Sequence, residues 1–394
     1  MKSDFMFTSE SVTEGHPDKL CDQISDSILG KYLRQDRMSR VIAECAISTG
    51  IVFVAARVAS TANIDIPSTA RQVITQAGYG HHGFDVRNCT VMTSVTDLPL
   101  TEQQVSEEDL TGEEIDRVVV QDQATVFGYA CDHTECLMPL PIWLSHKLAR
   151  RISWARRKEV VPYLAPDAKT QVGVEYRNHR PARIHSISIV ASQRDADATT
   201  RQRLRDDVIE HVILPSFEDQ ETRIDHNTKL FINPAGPVIG GGPAMHSGMT
   251  GRKTAVDTYG EYSRCSASAL SGKDPSRIDR VGAYAARYAA KNVVAAGLAH
   301  QCEVQLSYTI GLPGPVSVQV ETYGSGRISD AQIADRLNRS IDFRLAEIIR
   351  RFRLRDLPSH DEVGFYPRLA AFGHVGRVDL DLPWERTDVT NALL

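Results

Sequence analysis

No run of about 18 consecutive apolar residues occurs in this 394-residue chain, so no bilayer-spanning helix is expected. The opening stretch, MKSDFMFTSESVTEGHPDK, lacks the apolar core of a secretory signal, and a cytoplasmic protein is expected. Cysteine is sparse: seven residues, an odd number, none in CxxC spacing, which points to reduced thiols rather than a disulfide frame or zinc. Two phosphate signatures are missing as well. No GxxxxGK[ST] occurs, and the GxGxxG spacing of GYGHHG follows an expected helix instead of leading from a strand into one, so neither a P-loop nor a Rossmann dinucleotide turn is indicated. A net charge of −5 offers no electrostatic reason to expect nucleic acid or an anionic membrane as partner. What remains, 42% hydrophobic and 24% charged residues, is a globular composition, and the length implies two or three domains.

The same order of elements recurs three times. Pro17–Tyr32 reads as a helix, with Leu20, Ile24 and Ile28 at helical spacing and Pro17 suited to its first turn. RVIAECAIS and IVFVAARVA flank a Thr49-Gly50 turn as a hairpin, and a helix follows over about 69–77. The pattern returns as PIWLSHKLARRI, strands TQVGVEY and ARIHSISIVAS, and a helix near 199–213. It returns again as a helix from Asp279 to Ala296, strands CEVQLSYTIG and PVSVQVETYG, and one helix over about 330–352. Three similar α+β domains are expected, each a β-sheet with helices on one face. Their ranges are 1–100, 119–231 and 232–394. Residues 101–118, acidic and poorly patterned, form either a mobile loop that acts as a lid or a solvated connector.

Four charged clusters could carry chemistry. GHPDKLCDQISD places His16, Asp18 and Lys19 at a helix N-terminus, where free N–H groups favour an anion. Asp18 would repel phosphate unless a divalent cation stands between them, although a plain helix cap is the simpler alternative. GGGPAMHSGMTGRK ends in Arg252 and Lys253 after glycines that let backbone approach a ligand, with His246 inside it. SGKDPSRIDR sets Lys273, Arg277 and Arg280 against Asp274 and Asp279 at a helix start, and APDAKTQV carries Lys169 into a strand. Four basic–acidic clusters of this kind point to a polyphosphate site.

Together these stretches resemble the S-adenosylmethionine synthetase family along nearly the whole chain. The resemblance rests on FTSESVTEGHPDK, PDAKTQV, FINP, SGMTGRK with VDTYG, SGKDPSRIDR, GAYAARYAAKNVVAAGLA and the closing FGHVGR and PWERTD. It implies three intertwined domains with pseudo-threefold symmetry, in a homodimer or dimer of dimers whose active sites lie between subunits. It implies an ATP-dependent adenosyltransferase: the sulfur of methionine or a related thioether displaces triphosphate from C5′ of ATP, and the triphosphate is then hydrolysed. The residues carried over are phosphate contacts at His16, Lys19, Lys169, Arg252, Lys253 and Lys273. Asp18 and Asp279 match Mg2+ ligands, Glu44 a K+ residue, Glu10 an acidic residue at the nucleotide, and Asp122 the aspartate at the adenosine–methionine side.

The sequence departs from the family where the head of methionine and the adenine ring would lie. His246 and Arg57 stand where the family has two acidic partners of the amino group, and Arg277 replaces a lysine. Asp97 or Leu98 takes the place of a glutamine, and Pro237 and Val238 that of an aromatic residue stacked on adenine. A guanidinium about 4 Å from an ammonium exchanges attraction for repulsion, each roughly 1–4 kcal/mol. An acceptor without an ammonium, or a different nucleophile, is therefore expected beside methionine itself. A non-catalytic homologue or a bare triphosphatase is the alternative from a different class.

Overall fold

The computed structural model describes residues 4–80, 84–100, 107–195, 200–222, 224–360 and 364–394. Three sheets form, and each is built on one hairpin. The first is β2 (Arg40–Ser48) with β3 (Ile51–Ala59), where β4 (Thr90–Asp97) adds in parallel to β3. The second is β6 (Leu164–Arg177) with β7 (Arg180–Gln193), extended by β8 (Lys229–Ile232) and β9 (Val238–Ile239). The third is β11 (Gln301–Tyr308) with β12 (Ser317–Glu321). One long helix precedes each hairpin: α1 (Pro17–Gln35), α3 (Leu140–Arg157) and α7 (Ile278–Ala295). Shorter helices are α2 (Ile66–Ala77), α4 (Arg201–Val208), α5 (Leu214–Phe217), α6 (Thr254–Asp257), α8 (Asp330–Ser340) and α9 (Leu345–Phe352).

The units are interlocked by strand exchange. The strand before each long helix joins a different unit's sheet, always antiparallel to the first strand of its hairpin. β1 (Phe5–Val12), ahead of α1, pairs with β6, and β5 (Ala124–Cys131), ahead of α3, pairs with β11. β10 (Gly248–Met249), ahead of α7, closes the circle by pairing with β2. This cyclic exchange gives the chain its pseudo-threefold character. Glycines permit it: a Cβ at Gly128 of β5 would overlap the Ala286 backbone of α7, and one at Gly248 the backbone of Pro17 and Asp18.

Local chemistry explains the helix limits. His16 caps α1 by accepting the Asp18 N–H, and Pro17 fills the first turn, where its missing N–H costs nothing. Asp65 caps α2 through the Ser68 N–H, and Gly78 ends it at φ 106°, a conformation open to glycine. The single helix expected over 330–352 is instead two. Ile341 and Phe343 turn into the core while Asp342 and Arg344 pair outside it, an alternation that extended backbone satisfies and a helix does not.

Of the acidic segment 101–118, residues 101–106 lie outside the described residues. The remainder makes two 3-10 turns against α9, with Leu110 and Ile115 packed on Ala346. Buried Glu107 accepts two hydrogen bonds from the equally buried Arg355, at 2.5 and 2.7 Å.

Candidate active site

Three aspartates on one face of α1 organise the loops. Asp18, Asp22 and Asp26 follow at intervals of four, so they align along the helix. Each accepts a backbone N–H from a neighbouring loop: Met249 to Asp18 (3.0 Å), Gly251 to Asp22 (2.8 Å) and Gly272 to Asp26 (2.8 Å). This row pins the His246–Lys253 loop to the first two turns of α1 and the Ser271–Arg280 loop to its middle. Two charged clusters result, about 12 Å apart at 1.5 Å of helix per residue.

The first cluster surrounds the N-terminus of α1. His16 is buried, and burial lowers its pKa to about 3 against the pull of Asp167, so the ring is neutral. Lys169 and Lys253 act on it as well. Lys253 reaches Glu10 on β1 at 3.0 Å, and Arg252 lies 3.6 Å from Asp18. His246 donates from Nε2 to Oδ2 of Asp167 at 2.9 Å, and its ring stands 4.9 Å from that of His16. Asp167 is buried; against that burial, the His246 hydrogen bond and the Gly242 N–H hold its carboxyl below the ordinary range.

Lys19, expected at phosphate, is fully buried between Asp22 (2.9 Å) and Asp257. Burial opposes its charge, yet the two carboxylates hold it protonated. An ammonium enclosed in this way tethers α1 to α6 and does not present itself to solvent.

The second cluster holds Lys273, bonded to Asp279 at 2.8 Å, and Arg277, bonded to Asp122 at 3.0 Å. Asp26 and Arg280 lie beneath it, buried and joined at 2.7 Å. Glu44 and Arg57 belong to neither cluster within one chain. They share the outer face of the β2–β3 sheet, where the row Met249–Ala46–Phe53–Met92 runs across four strands with Phe53, Met92 and Met249 each more than 40% exposed. Arg57 and His246, placed together by the resemblance, are thus apart in the monomer: Arg57 is opposite Ile42, whereas the His246 loop meets β2 at Ala46 and Ile47.

The carboxylates fit a hard cation. Asp18 Oδ2 and Asp279 Oδ1 make no hydrogen bond among the described residues, and each acid has a cationic neighbour, Arg252 and Lys273, able to bind phosphate. His16, Asp167 and His246 also have the donor composition of a transition-metal site, their ligand atoms lying within 4.8 Å of one another. The hydrogen bonds oppose that reading. His16 Nδ1 accepts the Asp18 N–H (3.2 Å), which puts its proton on Nε2 and leaves no lone pair there for a metal.

Asp167, Asp22, Asp26 and Asp257 escaped the reading of the sequence. The four-residue spacing in DKLCDQISD was the available signal for the first row, and the proximity of Asp167 to Lys169 in APDAKTQV the signal for the other.

Fold and clusters define a class: a three-sheet α+β protein with strand-exchanged units and charged loops gathered around one buried helix start. Within that class, residues 4–98, 117–238 and 239–386 match the N-terminal, central and C-terminal domains of S-adenosylmethionine synthetase. The chain is 46% identical over 403 residues to an S-adenosylmethionine synthase of Microcystis aeruginosa, covering 98% of this chain and 97% of that protein. It is 44% identical to the S-adenosylmethionine synthases of Gloeothece citriformis (98% and 95% covered) and Synechococcus elongatus (99% and 97% covered). The chain belongs to the S-adenosylmethionine synthetase family.

Proposed function

We propose that the two clusters are halves of active sites shared between chains. His16, Asp18, Lys169, Arg252 and Lys253 of one chain would face Asp122, Lys273, Arg277 and Asp279 of another. The enzyme is an ATP-dependent adenosyltransferase of the S-adenosylmethionine synthetase type. The observation that carries the shared site is that the loops of the two clusters are anchored eight residues apart on α1, at Asp18 and at Asp26, beside an exposed apolar sheet face suited to a second copy. A homodimer, or a dimer of dimers, in the cytoplasm follows as part of this reading.

The chemistry asks mainly for charge neutralisation and alignment. The acceptor's sulfur forms a bond to C5′ of ATP as the C5′–O5′ bond breaks, and triphosphate leaves with the electron pair. Arg252, Lys253, Lys169 and Lys273 would hold its oxygens, and Glu10 would orient Lys253. Mg2+ held by Asp18 and Asp279 would supply further neutralisation of the triphosphate, with K+ beside Glu44. Hydrolysis of the triphosphate to phosphate and pyrophosphate completes the turnover.

For the acceptor, the position of His246 favours a methionine-like thioether with a relaxed requirement at its head. The carboxylate missing at His246 is restored one ring away by Asp167, while Arg57 of a second chain would meet the acceptor's own carboxylate. Methionine and its deaminated 2-hydroxy analogue are both expected substrates. The experiment is turnover of ATP with Mg2+ and K+ in the presence of each thioether, followed by mass spectrometry of the nucleoside product. Adenosyl sulfonium from both supports the reading. Phosphate release with no sulfonium from either would overturn it.

A further inference from the structure

Two of the three sheets carry a fourth strand, and the third does not. β4 lies parallel to β3, from Ile51 opposite Thr90 to Val58 opposite Asp97. β8 lies parallel to β7, from Ser186 opposite Lys229 to Ile189 opposite Ile232. Each joins the second strand of its hairpin, on the side away from the exchanged strand. The third sheet runs β5, β11, β12 and stops there, so no strand among the described residues pairs with the far edge of β12. Such an edge presents backbone N–H and C=O groups to any chain able to pair with them.

The chain's own fourth strand is diverted. After β12 and α8 come the extended residues 341–344, at the point in the order where β4 and β8 follow their helices. Leu345 donates its N–H to the Pro313 carbonyl (2.8 Å), and the Tyr308 hydroxyl bonds the Phe343 carbonyl (3.1 Å). Both contacts hold the segment to the end of β11 and the connection after it, and not to β12. An open groove of about 770 Å³ remains, lined by residues 315–318 at the start of β12, by residues 338–344 and by α9. Val316, 56% exposed, gives it apolar surface.

Charge selects what can enter. Arg339, Arg344, Arg350 and Arg351 line the groove against only two acids, Asp342 and Glu347, in a chain of net charge −5. Arg344 is paired with Asp342 and with Asp116, and Arg350 with Glu347 at 2.7 Å. Arg351 reaches the Tyr288 hydroxyl (2.7 Å) and Arg339 the Asp335 carbonyl (3.2 Å). Neither of these two exposed guanidiniums has a carboxylate partner among the described residues. We propose that the free edge of β12 takes an extended acidic peptide of a partner protein as the fourth strand of the third sheet. The two sister sheets set its direction, parallel to β12. Alternate side chains then face opposite ways, so apolar residues meet Val316 and Val318 while acidic ones reach the arginines.

The test is binding to the full-length protein, read by fluorescence anisotropy with a labelled peptide of alternating Val and Glu, eight residues long like β4. It should saturate in the micromolar range. Hydrogen exchange should slow at the amides of Ser317–Glu321 when the peptide is bound. The same peptide with alternate backbone nitrogens methylated cannot form the ladder and should bind at least about tenfold more weakly, as should a Val–Lys peptide. Arg339→Glu, at an exposed helix end, should weaken the acidic peptide about tenfold with ATP turnover unchanged, and Arg351→Gln several-fold. No saturation up to about 1 mM peptide, or equal affinity of the methylated peptide, would overturn the inference. Unaltered affinity in both arginine variants would do the same. Displacement by inorganic tripolyphosphate with no slowing of exchange in β12 would make the groove a simple anion site and also overturn it. So would β12 amides that are protected in the protein alone and lose protection on dilution, since a second copy would then hold the edge.

Discussion

Asp26 on α1 grips Arg280 on α7 through two parallel hydrogen bonds of 2.7 and 3.0 Å, both side chains shut away from water. The same guanidinium donates to the Lys273 carbonyl at 3.2 Å, and its neighbour in sequence is Asp279. One ion pair therefore fixes both the packing of two long helices and the loop that carries the second cluster. Asp26→Asn leaves a buried guanidinium without its counter-charge, a loss of about 3–5 kcal/mol. Urea unfolding should show a much lower midpoint; an unchanged midpoint would contradict this account of the loop.

Lys19 and Lys253 should separate cleanly although both stand in a family motif. Lys19→Met strands Asp22 and Asp257 in the interior and should cost about 3–5 kcal/mol of stability. Lys253→Ala removes a partly exposed pair with Glu10, so stability should change by less than about 1 kcal/mol. Turnover of ATP should nonetheless fall by about two orders of magnitude. Thermal melts beside steady-state rates on both variants check the split, and a stable Lys19→Met protein would refute it.

Stability should decline in mild acid. His146 and His374 are fully buried, and burial together with nearby arginines holds both rings well below the usual histidine range. The unfolded chain takes up a proton on each ring near about pH 6.5, the native chain on neither, so each contributes a loss of about 1.4 kcal/mol per pH unit below that point. Unfolding midpoints at about pH 7.5 and about pH 5.5 measure it. Equal midpoints would show that the native state binds those protons too.

The Glu107–Arg355 pair should govern access to the 101–118 segment. Burial alone would raise the Glu107 carboxyl, but the Arg355 hydrogen bonds hold it below its ordinary range. Glu107→Gln removes the charge and should release the two turns packed on α9. Limited proteolysis within 101–118 should then proceed several-fold faster in the variant. Equal cleavage would mean that Leu110 and Ile115 alone keep the segment in place.

What was legible in the sequence was local. The hairpin read from RVIAECAIS and IVFVAARVA is β2 and β3 to the residue, because a Thr49-Gly50 turn separates two short runs rich in apolar and β-branched residues. The α7 range followed likewise from its alanine-rich run and Gly297. β1, β5 and β10 were missed since each finds its partner far along the chain: Val12 faces Lys169 and Ala124 faces Tyr308. No short window records a strand exchange. The charged clusters were visible as motifs, but Lys19 shows the limit. Its two carboxylate partners are three and 238 residues away, and the distant one decides that it is enclosed. The same holds for His246, whose meaning depends on Asp167, 79 residues earlier.

The central claim is that Asp18 and Asp279 serve one active site from different chains. Asp18→Asn and Asp279→Asn should each abolish ATP turnover. Mixed, dissociated and reassociated, the two inactive proteins should recover about a quarter of the wild-type rate, since half of a random dimer population carries one intact site out of two. Recovery to that level is the predicted result. No recovery in mixtures shown by native mass spectrometry to contain the heterodimer would contradict it and return both acids to a site within a single chain.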